Sequence, residues 1–355
     1  MSGITGFFRK KFKQPLSNTT LLLAITICTF VVMYVLAMVV WGGGFLNPQQ
    51  FFNIFNNNAY LIIIACGLSI VMISGGIDIS VGGQIALITM TTVCYLEKVG
   101  NTGSGVFVAL IIALFIGLAF GVVQGFLISY LKIQPFIVTL AGMFFAKGMT
   151  TIVSVNPVTV KANELFLKLK EFTINIPGIG FRMRNGTFIN SYLEIGAVVA
   201  LLVVLILWAA LKWTRIGRNF YAIGGNSESA LMLGINVQRT RFLAYTICGL
   251  LAGIAGFVYL LHTGAGNASN ADGAEMEAIA SSIIGGTLLT GGVGSLIGTL
   301  FGVMSLKTIT TIVITSGLTQ PWWQKITTGL MLCFFILLQS VILSERKKKL
   351  GTAAQ

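Results

Sequence analysis

The sequence predicts an all-α, polytopic membrane protein: about ten transmembrane helices in two pseudo-repeated halves, with broken or short helices in each half. Three observations carry this prediction. Hydrophobic residues make up 55% of the 355 positions and charged residues only 9%, against about 25% charged in a soluble domain. The apolar residues fall in blocks of about 20, the length that crosses roughly 30 Å of hydrocarbon. Two glycine-rich stretches, SGGIDISVGG at 74–83 and IGGTLLTGGVG at 284–294, interrupt those blocks at matching places about 210 residues apart, a weak internal repeat.

In chain order, spans are predicted over 19–41, 58–74, 84–97, 105–130, 134–153, 191–213, 239–262, 278–289, 295–315 and 325–345. They define a membrane domain at 19–345, a basic amino-terminal segment at 1–18 and a basic tail at 346–355. Arg9, Lys10, Lys11 and Lys13 precede the first span, and Arg346, Lys347, Lys348 and Lys349 follow the last. The loop at about 214–238 is flanked by Lys212, Arg215, Arg218, Arg239 and Arg241. An even number of spans puts all three regions on one side, which the positive-inside rule makes the cytoplasm. The long segment 154–190, with Glu164 and Glu171 among its charges, then lies outside. The basic start FFRKKFKQ leads into an apolar run too long for a signal-peptide core, so no cleaved leader is expected.

The net charge of +13 sits at the ends of apolar blocks and forms no basic face. That points to membrane lipid as a partner and away from nucleic acid. Cys28, Cys66, Cys94, Cys248 and Cys333 lie in or beside apolar runs without metal-ligand spacing, and His262 ends such a run. No metal site is expected. The stretches GLAFGVVQG and GLLAGIAG place Gly117, Gly121 and Gly125, and Gly249, Gly253 and Gly256, along single helix faces, where small residues let helix backbones approach in lipid.

Two predicted spans are short. At about 1.5 Å per residue, 84–97 covers roughly 21 Å and 278–289 roughly 18 Å. Each adjoins a glycine-rich break, and such pairs in the two halves of a transporter mark a central pathway. Asp78 sits inside the first break. A buried carboxylate there is costly unless paired, hydrated or capping. It is read either as a cap on the first-turn N–H groups of the next helix or as a group facing a wet pathway, and the two readings are compatible. Of the other intramembrane charges, Lys147, Glu194 and Lys307, none can be paired from sequence, and no proton or ion relay is evident. GGIDISVGG lacks the lysine of a phosphate-binding loop and GxxxxGK[ST] is absent, so ATP is not bound by this chain in that manner. No catalytic residue is expected.

The loop RIGRNFYAIGGNSESALMLGINVQRTR (215–241) is the most informative stretch. IGGN reads as a turn, Ser227 as the cap of a short helix ESALMLG, and Gly234 as its stop. With Glu228 in the first turn and Ala230, Leu231 and Leu233 presented, this helix reads as a docking element for a soluble partner.

At this loop the chain resembles the membrane permeases of bacterial ABC sugar importers of the ribose, galactose and galactofuranose class. SGGIDISVG, RIGRNFYAIGGNSESALMLGI and IIGGTLLTGGVGSLIGTL carry the resemblance, which extends over about 45–345. VTLAGMFFAKG (138–148) and PWWQKI (321–326) are most similar to the second permease of galactofuranose importers, and bifidobacterial fructose importers have similar permeases. The resemblance implies a second permease, identical or paralogous, a cytosolic ABC ATPase carrying the ATP and Mg, and an extracytoplasmic sugar-binding protein. No cofactor is expected on this chain. It implies an ATPase-coupling loop at Gly224, Gly225, Asn226, Glu228, Ser229, Ala230 and Gly234, where Ser229 departs from the family's Glu-Ala-Ala. It also implies pathway or helix-break positions at Gly75, Gly76, Asp78, Ser80 and Gly82, and at Gly285, Gly286, Gly291 and Gly292. The competing class is an ion- or proton-coupled secondary transporter of small polar solutes.

Overall fold

The computed structural model describes residues 18–42, 45–182 and 188–353. The basic segment 1–18 therefore lies outside the described residues except for Asn18. The chain forms α1 (Asn18–Trp41), α2 (Pro48–Ile73), α3 (Val81–Val99), α4 (Gly105–Ser129) and α5 (Pro135–Val153). A peripheral segment follows, with β1 (Val158–Thr159), α6 (Glu164–Glu171), β2 (Thr173–Arg182) and β3 (Phe188–Glu194). Then come α7 (Ile195–Trp213), α8 (Arg215–Gly225), α9 (Ser227–Met232), α10 (Val237–Thr263), β4 (Ala265–Gly266), α11 (Ala274–Ile284), α12 (Leu296–Thr315) and α13 (Pro321–Ala353). The protein is an all-α, multi-pass membrane protein: 8 of these helices are long and apolar enough to cross a membrane.

Helix α2 is the axis of the bundle. Asn47 caps it by accepting from the Gln49 amide, Pro48 fills the first turn, and the backbone kinks at Asn58. From Leu61 to Ile73 every residue is buried, as the unbroken run LIIIACGLSIVMI requires of a helix enclosed on all sides. The predicted glycine faces meet each other. Helices α4 and α10 pack so closely that a Cβ on Gly121 would lie 2.7 Å from the Tyr245 carbonyl oxygen, and one on Gly253 would lie 2.7 Å from that of Ala113.

Several predicted boundaries are corrected. Helix α3 has 19 residues, about 28 Å at the α-helical rise, so the span expected at 84–97 is not short: the helix takes in Val81–Gly83 of the glycine segment. The span expected at 278–289 is short, but it is displaced to Ala274–Ile284 and ends at the break. Helix α2 begins well before 58, and α13 begins at Pro321 and stays helical through much of the tail expected from 346. The strand β3 takes the residues before Ile195, because β2 and β3 form an antiparallel hairpin across the peripheral segment. That segment and the ends of α3 and α10 lie together: Glu97 accepts from the amides of Lys161 and Ala162, and Lys170 Nζ donates to the Thr263 carbonyl.

Gly121→Val is expected to force α4 and α10 apart, at a cost of about 1–3 kcal/mol. Thermal unfolding in detergent should show a lowered midpoint. Gly148→Val on α5, where a side chain meets nothing within 4 Å, should leave it unchanged.

Candidate functional site

The two glycine breaks end their helices by the same device. After α2, Gly75 takes φ +83°, and the amides of Gly75 and Gly76 donate to the Met72 and Val71 carbonyls. After α11, Gly286 takes φ +90°, and the amides of Gly286 and Thr287 donate to the Ile283 and Ser282 carbonyls. This is the Schellman arrangement, whose left-handed residue is usually glycine. It pairs Gly75 with Gly286, one residue away from the pairing that the GG doublets suggest.

The breaks then converge on a third element. The Gly292 amide donates to the Ile73 carbonyl at 2.9 Å. Gly224, near the end of α8, lies against both: a Cβ there would collide with the Ile73 carbonyl oxygen and lie 2.6 Å from the Gly292 nitrogen. A Cβ on Gly291 would lie 3.0 Å from Gly75 Cα and 2.8 Å from the Gly224 carbonyl oxygen, and one on Gly292 would lie 2.7 Å from Gly225 Cα. Beside this junction the Tyr221 hydroxyl donates to the Gly294 carbonyl at 3.0 Å, and burial pushes its phenol pKa up. Gly75, Gly224, Gly225, Gly291 and Gly292 are thus brought into one backbone-to-backbone contact.

The remaining predicted positions are placed separately. Gly76 faces the Tyr245 hydroxyl, which donates to the Ile77 carbonyl. Gly82 faces Glu275 and the Ala271 carbonyl, Gly285 faces the backbone of Gly298 in α12, and Gly286 faces Leu22 of α1. Asp78 is buried, and its Oδ1 accepts from the Ser80 amide at 2.9 Å and from the Ser80 hydroxyl at 2.6 Å. Gln84 and Gln124 both donate to the Ser80 oxygen. The cap expected of Asp78 is therefore corrected: Ser80, not Asp78, occupies the cap position, and it makes no side-chain cap bond. Asp78 fixes the turn two residues before that cap position.

In the loop, Asn226 rather than Ser227 caps α9, accepting from the Ser229 amide at 2.9 Å. Gly234 ends it at φ +81° with the same pair of reversed hydrogen bonds, to the Leu231 and Ala230 carbonyls. Ala230 is buried rather than presented. Glu228 and Ser229 are exposed, as are Leu231, Met232 (88% exposed) and Leu233 (80%). A groove of about 770 Å³ opens beside them, lined by Lys132, Pro135, Glu228, Leu231 and Arg241 among others.

The charges that sequence leaves single are paired across the fold. Lys147 meets Asp272, His262 Nδ1 meets Glu194, and Lys307 meets Glu277, each at 2.7 Å. Their partners are distant in sequence, so spacing gives no sign of them. The partners missed at the junction are Ile73 and Tyr221. A further GG doublet at 224–225, within the informative loop, was the available signal for a close approach there. No cluster of potential metal ligands occurs among the described residues.

A bundle with two capped breaks locked beneath a partly apolar loop helix is the framework of a transport permease, and the comparisons identify its family. Residues 50–336 match the family described as "Branched-chain amino acid transport system / permease component", and the chain belongs to it. It is 40% identical over 317 residues to the inner membrane ABC transporter permease protein YjfF of Escherichia coli (strain K12), covering 89% of this chain and 91% of the relative. The fructose import permease protein FruG of Bifidobacterium longum (strain NCC 2705) is 33% identical, with 95% of each chain covered. The ribose import permease protein RbsC of Bacillus subtilis (strain 168) is 32% identical, with 90% and 92% covered. No solved structure matches the chain.

Gly224→Ala places a methyl group in the junction and is expected to reduce transport at least tenfold while the protein still reaches the membrane. Gly225→Ala, whose Cβ meets nothing within 4 Å, should transport normally. Uptake per membrane-inserted molecule, measured for both variants, checks this.

Proposed function

We propose that this chain is the permease subunit of an ATP-binding-cassette importer that moves a simple sugar into the cell: galactofuranose, or another pentose or hexose such as fructose or ribose. The family's printed description names branched-chain amino acids, whereas the named cargo of the relatives reported above is a sugar. Those matches cover nearly the whole chain, and they favour sugar. In this reading α8 and α9 face the cytosol of a bacterial inner membrane, both termini lie on that side, and the peripheral β2–β3 hairpin faces an extracytoplasmic sugar-binding protein. ATP and Mg belong to a cytosolic ATPase, and a second permease, identical or paralogous, completes the pathway.

The observation that carries the proposal is the placement of α9. Three successive apolar residues, Leu231 and Met232 on it and Leu233 at its C-cap, are exposed, while the adjacent end of α8 is locked to both breaks. Exposed apolar side chains on a short polar loop fit a groove on a soluble partner. A push on α9 there acts on both halves of the bundle. An ion-coupled transporter would have no use for such a surface.

Met232→Glu together with Leu233→Glu is expected to abolish co-purification of an ATPase without loss of membrane insertion. Gly234→Pro should do the same, since proline cannot adopt the positive φ required there. Uptake by vesicles with and without ATPase and binding protein tests the larger claim. Sugar uptake that persists without the ATPase and collapses with an ion gradient would overturn it.

A further inference from the structure

Between α10 and α11 the chain descends with little regular structure along α3. Its first residues, β4, pair with β1, and Gly266 packs so closely that a Cβ there would lie 3.1 Å from Met90 Cα. By Ala271 the chain has reached the first turn of α3, where a Cβ on Gly82 would lie 3.1 Å from the Ala271 carbonyl oxygen. At the helical rise Gly82 is about 25 Å below the end of α3 at Val99. Residues 265–273 therefore run as irregular backbone beside the half of α3 from Met90 to Gly82 and reach Lys147 on α5, a candidate membrane span; at membrane depth such backbone is tolerated only where protein covers it or where it lines a water-filled cavity.

The side chains this segment exposes are polar. Asn267 and Ser269 are exposed. Asp272, 54% exposed, holds Lys147 of α5, 34% exposed, at 2.7 Å. A charged pair this open within spanning structure belongs beside water, not lipid. Glu275, one turn further, is buried with its Oε2 lacking a hydrogen-bond partner, a need that water or a solute hydroxyl meets.

We propose that residues 265–273, with Lys147 beside them, form one wall of the solute route and a hydrogen-bonding subsite for a neutral, polyhydroxylated solute. The proposal rests on the sugar-importer reading and assigns the route to a segment outside the glycine motifs, one against which Gly82 packs. An amide, a hydroxyl and a mutually neutralised carboxylate and ammonium offer donors and acceptors to sugar hydroxyls without a net charge to trap ions. Contacts to such groups are individually weak, as release requires. The glycine breaks then serve as framework and the descending segment as lining.

The test uses the complete importer, with its ATPase, second permease and binding protein, in proteoliposomes. Ser269→Cys is introduced with Cys28, Cys94 and Cys333 replaced by alanine, and uptake of labelled galactofuranose, fructose and ribose is measured. The protein is then treated with a charged, membrane-impermeant methanethiosulfonate. Expected are rapid labelling, slowed at least threefold by the transported sugar, and at least a tenfold loss of uptake after labelling. Labelling only by a lipophilic maleimide, labelling by neither reagent, or labelling that leaves uptake intact overturns the proposal. Asn267→Cys gives the same reading if Ser269→Cys does not assemble. Loss of this result while unlabelled protein shows ATP-dependent uptake defeats the subsite alone. Absence of ATP-dependent uptake of all three sugars in the unmodified complex defeats the importer reading beneath it.

Discussion

Backbone amides and carbonyls removed from water must find partners inside the protein, at a cost of several kcal/mol for each that does not. Two helices of this bundle stop within the membrane domain, so the constraint falls on both of their ends. It is met twice by the same reversed hydrogen bonds around Gly75 and Gly286, and once more by the bond from the Gly292 amide to the Ile73 carbonyl. Glycine is required because the left-handed cap excludes a Cβ cheaply only at glycine. It is required again because the three chain segments touch through backbone atoms, with no room for a side chain between Gly224, Gly291 and Gly292.

That solution has a mechanical result. Helix α2, buried from Leu61 to Ile73, ends at the junction. The link from α11 to α12 passes through it, and α8 presses on both. Close packing without voids transmits displacement instead of absorbing it. A shift of the α8–α9 loop is therefore shared by the central helix of one half and the broken helix of the other. The α4–α10 contact is also built on glycine.

Charge is handled by the same economy. Each of the side-chain pairs Lys147–Asp272, Glu194–His262 and Lys307–Glu277 joins two different elements: α5 to the descending segment, the end of β3 to α10, and α11 to α12. Pairing lets a chain of low charge content keep ionic groups at depth. Asp78 follows the other course: Ser80 holds its Oδ1 within a small network that includes Gln84 and Gln124, while its buried Oδ2 has no hydrogen-bond partner.

Much of the fold was legible in the sequence because its signals are local. Blocks of apolar residues give spans, glycines three or four apart give close faces, and the GG doublets at 75–76 and 285–286 give breaks. Helix ends were read less well: Asn226 rather than Ser227 caps α9, and α3 reaches back through Val81. Competing cap residues sit one position apart, and the contest is settled by which side chain the neighbouring backbone can reach. The sequence by itself determined that this is a helical, multi-pass protein with two matched interruptions and a short helix in its basic loop. Only the tertiary structure decided that the interruptions and the loop are one junction, and which acid each lysine meets. Those contacts join residues 30 to about 220 positions apart, where no periodicity connects them and only packing in space brings them together.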